Sequence, residues 1–255
     1  MAYAVWNDPD VDWSLSRLCL VRSTWDYYRH YDEFARWIDY AASVSIVRND
    51  PGLLTWSSHK WYLREIEARG VPVVPSAWLQ RGQTANLNDI RADRGWEDIV
   101  IKPARGAGTH GVMHVSSNEA SLRNGEVHLG HLLAVNDVLV QPYLESVRDY
   151  GERALIFING TYSHAVVKKA FDSVLAVRSA RLARVEASDA EKEIASNALR
   201  SCPGNPLYAR VDLLRDGSRP CVSELELIEP ALYFGAETTA AERIADALES
   251  QIGGA

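Results

Sequence analysis

The sequence predicts a mixed fold of the α/β (α+β) kind, and three observations carry that expectation. Up to residue 76, short β-branched runs alternate with helical stripes, which implies parallel strands joined by helices. Further along, apolar runs flank tight-turn residues, as at Ile158-Asn159-Gly160-Thr161, the sign of antiparallel hairpins. A glycine run, Gly106-Ala107-Gly108-Thr109-His110-Gly111, sits between two strand-like segments, where a dinucleotide fingerprint would require a strand before it and a helix after it.

Composition bounds the rest. With 255 residues, 47% hydrophobic and 24% charged, the chain reads as an ordinary globular protein of one to three compact units. A net charge of −7 argues against nucleic acid as a partner. No apolar run approaches the ~18 to 20 residues that span a bilayer, so no membrane association is expected. The start, Met1-Ala2-Tyr3-Ala4-Val5-Trp6, lacks the basic-then-apolar order of a signal peptide, which makes a cytoplasmic location the expectation. Cys19, Cys202 and Cys221 are isolated and indicate neither a disulfide framework nor a zinc site. His110/His114 and His128/His131 have ligand-like spacing but no third ligand nearby, so metal is not expected there.

In chain order, Leu18-Cys19-Leu20-Val21 reads as a strand followed by the turn-like Arg22-Ser23-Thr24-Trp25-Asp26. Phe34, Trp37, Ile38 and Ala41 recur at helical spacing, which marks a helix packed on a sheet and a core rather than a cofactor box. A second helix is expected over 59–68, stopped by Gly70, before Val71-Pro72-Val73-Val74-Pro75 extends the chain. Residues 77–97 turn polar, giving expected units of 1–76, 77–143 and 144–255. In the second unit, Asp98-Ile99-Val100-Ile101-Lys102-Pro103 and Val112-Met113-His114-Val115 are strands around the glycine loop, a helix starts at Ser116 or Ser117, and Val138-Leu139-Val140-Gln141 is a further strand. Glycines at 106, 108 and 111 let backbone N–H groups approach phosphate oxygens, and the Lys102 ammonium can reach a phosphate beneath them. Ser188-x-x-Glu191 and Thr239-x-x-Glu242 fit capping boxes that open helices near 190–200 and 240–251.

Two hairpins carry charge. If Asn159-Gly160 is a two-residue loop, Ile158 faces Thr161 and Arg153 falls opposite Val166, which puts Arg153 and Lys168 on one face and Lys169 on the other. Two cations on one face suggest an anion. In Arg210-Val211-Asp212 through Glu224-Leu225-Glu226, Pro220 argues for a five-residue loop over 216–220, which pairs Arg215 with Cys221 and Asp212 with Glu224. Glu226 shares the face of Glu224. Three carboxylates so placed need something positive among them, and hard oxygens in that number suit Mg²⁺ or Mn²⁺ brought in with phosphates.

The order of lysine strand, glycine loop, apolar strand ending in a polar hinge, and acidic hairpin resembles the ATP-grasp superfamily over about residues 55–235. The resemblance implies an ATP-grasp fold with a shortened N-terminal parallel α/β domain. It also implies ATP held by Lys60 on a helix, by Lys102, and by the loop glycines Gly106, Gly108 and Gly111. Gln141, Tyr143 and Leu144 then match the hinge that reads adenine, with Glu145 as ribose ligand; Asp212 and Glu224 match the magnesium carboxylates, while Glu226 stands where the pattern usually has asparagine. Arg210, Arg153 and Lys168 would neutralise the moving phosphoryl group.

Within the superfamily, Arg22-Ser23-Thr24-Trp25-Asp26-Tyr27 and Glu224-Leu225-Glu226-Leu227-Ile228-Glu229-Pro230 look most like the branch of bacterial glutathione synthetases and ribosomal-protein glutamate ligases, which includes a cyclo-ligase making D-cycloserine from O-ureido-D-serine. The implied activity is an ATP- and Mg²⁺-dependent carboxylate–amine ligase acting through an acylphosphate, intramolecular or not, on a small-molecule carboxylate and amine. A non-catalytic ATP-binding module or sensor is the alternative. A dinucleotide-dependent dehydrogenase rests on the glycine spelling alone. Residues 171–187, with Arg178, Arg181 and Arg184, match no pattern, and a homodimer is one of the assemblies the sequence leaves open.

Overall fold

The computed structural model describes residues 2–168 and 183–253. The chain opens with β1 (Leu18–Leu20), α1 (Tyr31–Val44) and β2 (Ile46–Arg48), and β1 and β2 pair in parallel. The stripe expected on α1 is buried at Phe34, Trp37, Ile38 and Ala41. Trp6 meets Phe34 edge-on at 5.3 Å and Trp13 meets Trp37 at 5.2 Å, so the aromatic residues are core. Ile228, from the far end of the chain, is buried in the same cluster.

Two short helices follow, α2 (Pro51–Ser57) and α3 (Tyr62–Ala68), where one helix from residue 59 was expected. The chain turns at 58–61, with Lys60 N–H donating to Ala104 O at 2.8 Å, so Lys60 sits in a turn and not on a helix. Gly70 ends α3 with φ +86°, as its C′ position requires.

A four-stranded sheet, in the order β3-β6-β4-β5, contains β3 (Ala77–Leu79), β4 (Ile99–Pro103), β5 (Met113–Val115) and β6 (Val138–Pro142), all antiparallel. Strands β4 and β5 enclose the glycine run, which rules out the dinucleotide topology. Helices α4 (Leu87–Arg94) and α5 (Glu119–Leu133) accompany this sheet, and α5 starts two or three residues later than expected because the Asn118 side chain, not a serine, accepts from Ser121 N.

The largest sheet runs β11-β10-β7-β8-β9 and is built from β7 (Glu152–Ile158), β8 (Thr161–Lys168), β9 (Ala183–Val185), β10 (Tyr208–Asp216) and β11 (Arg219–Glu226), with α6 (Ser146–Asp149) leading into it. One face, with Leu155, Phe157, Val211 and Leu213, packs on α7 (Asp189–Arg200). The other, with Ala154, Ile156 and Tyr208, packs on α8 (Ala240–Gly253). The capping box of α7 is complete at Ser188 and Glu191.

Both hairpins differ from expectation in register. Ile158 faces Thr161 as expected, but the ladder shifts between Ile156 and Phe157, so Arg153 faces Val167 and Lys168 faces Glu152. One extra residue in β8 reverses the side to which every later residue points. In the second hairpin the turn is the two residues Gly217-Ser218, with Asp216 opposite Arg219 and Arg215 opposite Pro220. A bulge after Asp212 then absorbs the shift and restores the Asp212–Glu224 pair. Pro220 is tolerated because β11 is the sheet's last strand; the 72–74 segment meets its outer edge at Val222, away from the proline.

Candidate active site between the glycine loop and the acidic hairpin

Alternation along β10 places Arg210 and Asp212 on one face, and the ladder sets Glu226 opposite the first and Glu224 opposite the second. Asp212 is 1% exposed. Its Oδ1 accepts from Arg210 Nε at 2.9 Å, and its Oδ2 accepts from Arg210 Nη2 at 2.9 Å and Lys168 Nζ at 2.7 Å. Arg210 also donates to Glu226 Oε1, while Lys60 Nζ pairs with Glu224 Oε1 at 2.8 Å. Carboxylates facing each other across a ladder are therefore held by cations from three separate stretches of chain, as the charge argument required.

The titration of these groups follows from their neighbours. Burial acts to raise the Asp212 carboxyl, but Arg210 and Lys168 outweigh it and hold it below its ordinary value. Burial is likewise outweighed at Glu224, by Lys60 and then Lys102. Glu226 goes the other way: burial, opposed by Arg210 but reinforced by Asp212 and Glu224, pushes it up to about 8. Lys102, at the end of β4, is lowered by burial, with Glu224 and Glu152 working against that shift. Lys168 is raised, since Asp212 and Glu152 override the cost of its burial.

Above the acids lies the glycine loop. Gly106 O accepts from Lys60 Nζ at 3.3 Å, and Gly108 and Gly111 adopt φ of +61° and +73°, open to glycine at little cost. Gly106, Ala107 and Gly108 line one cavity with Tyr27, Lys60, Glu224, Glu226 and Glu229. Its free volume is only about 20 Å³. Tyr62 braces the floor: its hydroxyl donates to Leu225 O at 3.0 Å and accepts from Leu225 N at 2.8 Å.

At the hinge, Gln141 is buried and donates to Ser76 Oγ at 2.9 Å, and Tyr143 N donates to Asp98 O at 2.8 Å. The Tyr143 ring lies 4.2 Å from that of His114, Leu144 leads into α6, and Glu145 is exposed beside Arg148 at 3.4 Å. The structure thus gathers Lys60, Lys102, Gly106, Gly108, Lys168, Arg210, Asp212, Glu224 and Glu226 around one centre.

Arg153 is not among them. The shifted register turns it to the α7 side, where it lies 4.1 Å over the Tyr150 ring. Both faces of β7 are apolar, so alternation gave no warning. Glu152 was missed for the same reason; it binds Lys168 at 3.2 Å and accepts from Ser223 Oγ. Glu229, pushed up to about 7 mainly by burial, was also missed, because nothing in its local sequence shows the loops that enclose it. Lys169, Arg178 and Arg181 lie outside the described residues, and Arg184 pairs with Glu237 at 2.8 Å.

As to metal, among the described residues no group of three or more His, Cys, Asp or Glu side chains stands ready around a common point. His114 is bound to Asp98 and His128 to Gly111 O. The acids of the hairpin nonetheless fit a hard cation: Asp212 and Glu224 are held in the anionic form, and Lys60 and Lys168 place ammonium groups against them where positive charge is called for. No helix of the described residues is long and apolar enough to cross a membrane.

Comparison with known proteins agrees with this geometry. The family model for the N-terminal domain of D-cycloserine synthetase DcsG matches residues 1–49. The cycloserine biosynthesis protein DcsG of Streptomyces lavendulae is 33% identical over 264 residues, covering 97% of this chain and 87% of that protein. The crystal structure of D-cycloserine synthetase DcsG is similar with a TM-score of 0.88 at 30% identity, over 97% of this chain and 88% of that one. The ATP-grasp ligase PsnB, complexed with precursor peptide PsnA2 and AMPPNP, is similar with a TM-score of 0.62 over 92% of this chain and 77% of that one; at 17% identity this shows the fold alone.

Proposed function

Because the chain belongs to the ATP-grasp ligases of the DcsG family and is an ATP-dependent C–N ligase, we propose that it forms an amide from a small-molecule carboxylate through an acylphosphate, in the intramolecular manner that yields D-cycloserine. The observation that carries this reading is the face-to-face pair Asp212 and Glu224, set among Lys60, Lys168 and Arg210 beneath Gly106 and Gly108.

In this reading residues 1–76 form one wall of the site, 77–143 the lid that closes on ATP, and 144–255 the floor. Gln141, Tyr143 and Leu144 bind the adenine, Glu145 the ribose, and Lys60, Lys102 and the loop glycines the phosphates. An oxygen of the substrate carboxylate attacks the γ-phosphorus and the bond to ADP breaks. The substrate nitrogen then attacks the acyl carbon, loses a proton, and expels inorganic phosphate; with O-ureido-D-serine, water must also remove the carbamoyl group from that nitrogen, as carbon dioxide and ammonia, to give D-cycloserine. Arg210 and Lys168 offset the charge that accumulates on the transferred group, and the closed loop keeps water from the acylphosphate. Asp212 and Glu224, with Glu226 beside them, would hold Mg²⁺, which would supply charge neutralisation of the phosphate oxygens.

The test is ADP release with MgATP and a panel of O-ureido-D-serine, D-serine and D-alanine, with and without hydroxylamine. Substrate-dependent release and a trapped hydroxamate are expected. Lys102→Ala should weaken nucleotide binding, whereas Glu224→Gln should spare it and lower turnover at limiting Mg²⁺. Tight ATP binding with no turnover on any substrate would overturn the acylphosphate reading, and wild-type turnover in Glu224→Gln would remove the metal assignment.

A further inference from the structure

The loop after β1 holds an arginine that joins none of the ion pairs of the site. Arg22 lies 5.0 Å over the Tyr208 ring, and its Nη2 donates to Pro230 O at 2.7 Å. Among the described residues its Nη1 is buried and has no acceptor. The ion pairs of the centre, Lys60–Glu224, Lys168–Asp212, Arg210–Asp212 and Arg210–Glu226, do not include it. Two residues on, Thr24 is 7% exposed and its Oγ1 is also without a partner among the described residues. Ser23, between them, has φ +56°, a conformation that L residues adopt at a cost and that loops keep where function demands it.

Burial lowers the Arg22 guanidinium, Glu229 counteracts this, and Arg210 is close enough to repel it. Glu229 acts on both guanidiniums, but the open, desolvated donor of Arg22 is still unfavourable beside Arg210 and is suited to accept a further anion. The loop is also in the right place. Tyr27 N donates to Thr24 O at 3.0 Å, and the Tyr27 side chain lines the cavity shared with Lys60, Gly106, Glu224 and Glu226.

We propose that Arg22, through its open Nη1 and aided by the Thr24 hydroxyl, binds the substrate carboxylate, holding one oxygen while the other attacks the nucleotide. This rests on the ligase reading above. The bound oxygen is the one that becomes the acyl oxygen and gathers negative charge when the nitrogen attacks, so the same guanidinium supports both steps. A purely structural arginine, clamping Pro230 and covering Tyr208, has no need of a third, buried and unanswered donor.

The experiment measures ADP release by the full chain, varying O-ureido-D-serine at saturating MgATP and then the reverse, with the melting temperature of each variant. Arg22→Gln keeps a donor for Pro230 but loses the charge; it should raise the substrate KM about 10- to 100-fold and leave the ATP KM within about 2-fold. Arg22→Lys should recover part of that loss. Thr24→Val removes a hydroxyl that has no partner to forfeit, so it should raise the substrate KM by about 3- to 10-fold without lowering the melting temperature. Should Arg22→Gln fail to fold, Arg22→Lys and Thr24→Val decide. An unchanged substrate KM in active variants, or equal losses in both KM values together with a lower melting temperature, would make Arg22 a structural residue and overturn the inference. If the wild type releases no ADP with any substrate, the ligase reading itself fails and this inference with it.

Discussion

Replacing Glu226 by glutamine should remove a stability loss that the protein suffers as pH rises. In the fold, burial, opposed by Arg210 and reinforced by Asp212 and Glu224, moves this carboxyl from 4.5 up to about 8. Between those values the folded protein keeps a proton that the unfolded chain has already released. Fewer protons bound in the unfolded state means that the unfolding free energy falls as pH rises, by about 1.4 kcal/mol per unit for one group. Below the unfolded value both states are protonated and nothing is lost; above about 8 both are ionised and the whole penalty is in force. The side chain keeps 22% of its surface in solvent, and screening reduces the total to about 2 to 3 kcal/mol. Glutamine is neutral throughout and can still accept from Arg210. Urea unfolding without divalent ions, at several pH values from 5.5 to 8.5, should therefore show the variant gaining on the wild type as pH rises. Glu229, raised in the same direction, is present in both proteins and largely cancels in the difference. Parallel stability curves would refute the reasoning, because they would mean that Glu226 ionises in the fold as it does in the open chain.

Three further substitutions probe the frame that holds the site. Gly125→Ala would set a Cβ 2.8 Å from Val115 Cγ2 and 3.0 Å from Leu87 Cδ1; overpacking of about 1 to 3 kcal/mol should outweigh the ~1 kcal/mol helix gain and lower the melting temperature. Ser188→Ala removes the cap of α7 and should cost about 1 kcal/mol in denaturant titration without altering KM for ATP. Tyr62→Phe strips both hydrogen bonds from Leu225, between Glu224 and Glu226, so a loss of about 1 to 3 kcal/mol should come with a fall in kcat; unchanged turnover would show that the strand carrying the acids needs no brace there.

What the sequence disclosed depended on whether a pattern had a side to it. The stripe on α1 was legible because only one face of that helix is apolar, and the β4-loop-β5 unit because three glycines and two β-branched runs allow little else. Strand β7 reads Ala154-Leu155-Ile156-Phe157-Ile158, apolar on both faces because α7 covers one and α8 the other. Such a strand cannot reveal a shifted register, and Arg153 was therefore assigned to the wrong side while Glu152 was overlooked. The acidic hairpin gives the converse case. Its loop was expected three residues too long, yet the Asp212–Glu224 pairing held, because the bulge beside Ser223 returns both carboxylates to the face where Lys60, Lys168 and Arg210 can neutralise them. A register that left one of those acids buried on the apolar face would cost several kcal/mol in uncompensated charge. The requirement that the charges meet, more than the chemistry of the turn, sets the pairing, which is why charge complementarity was the better guide to the site and turn residues the poorer one.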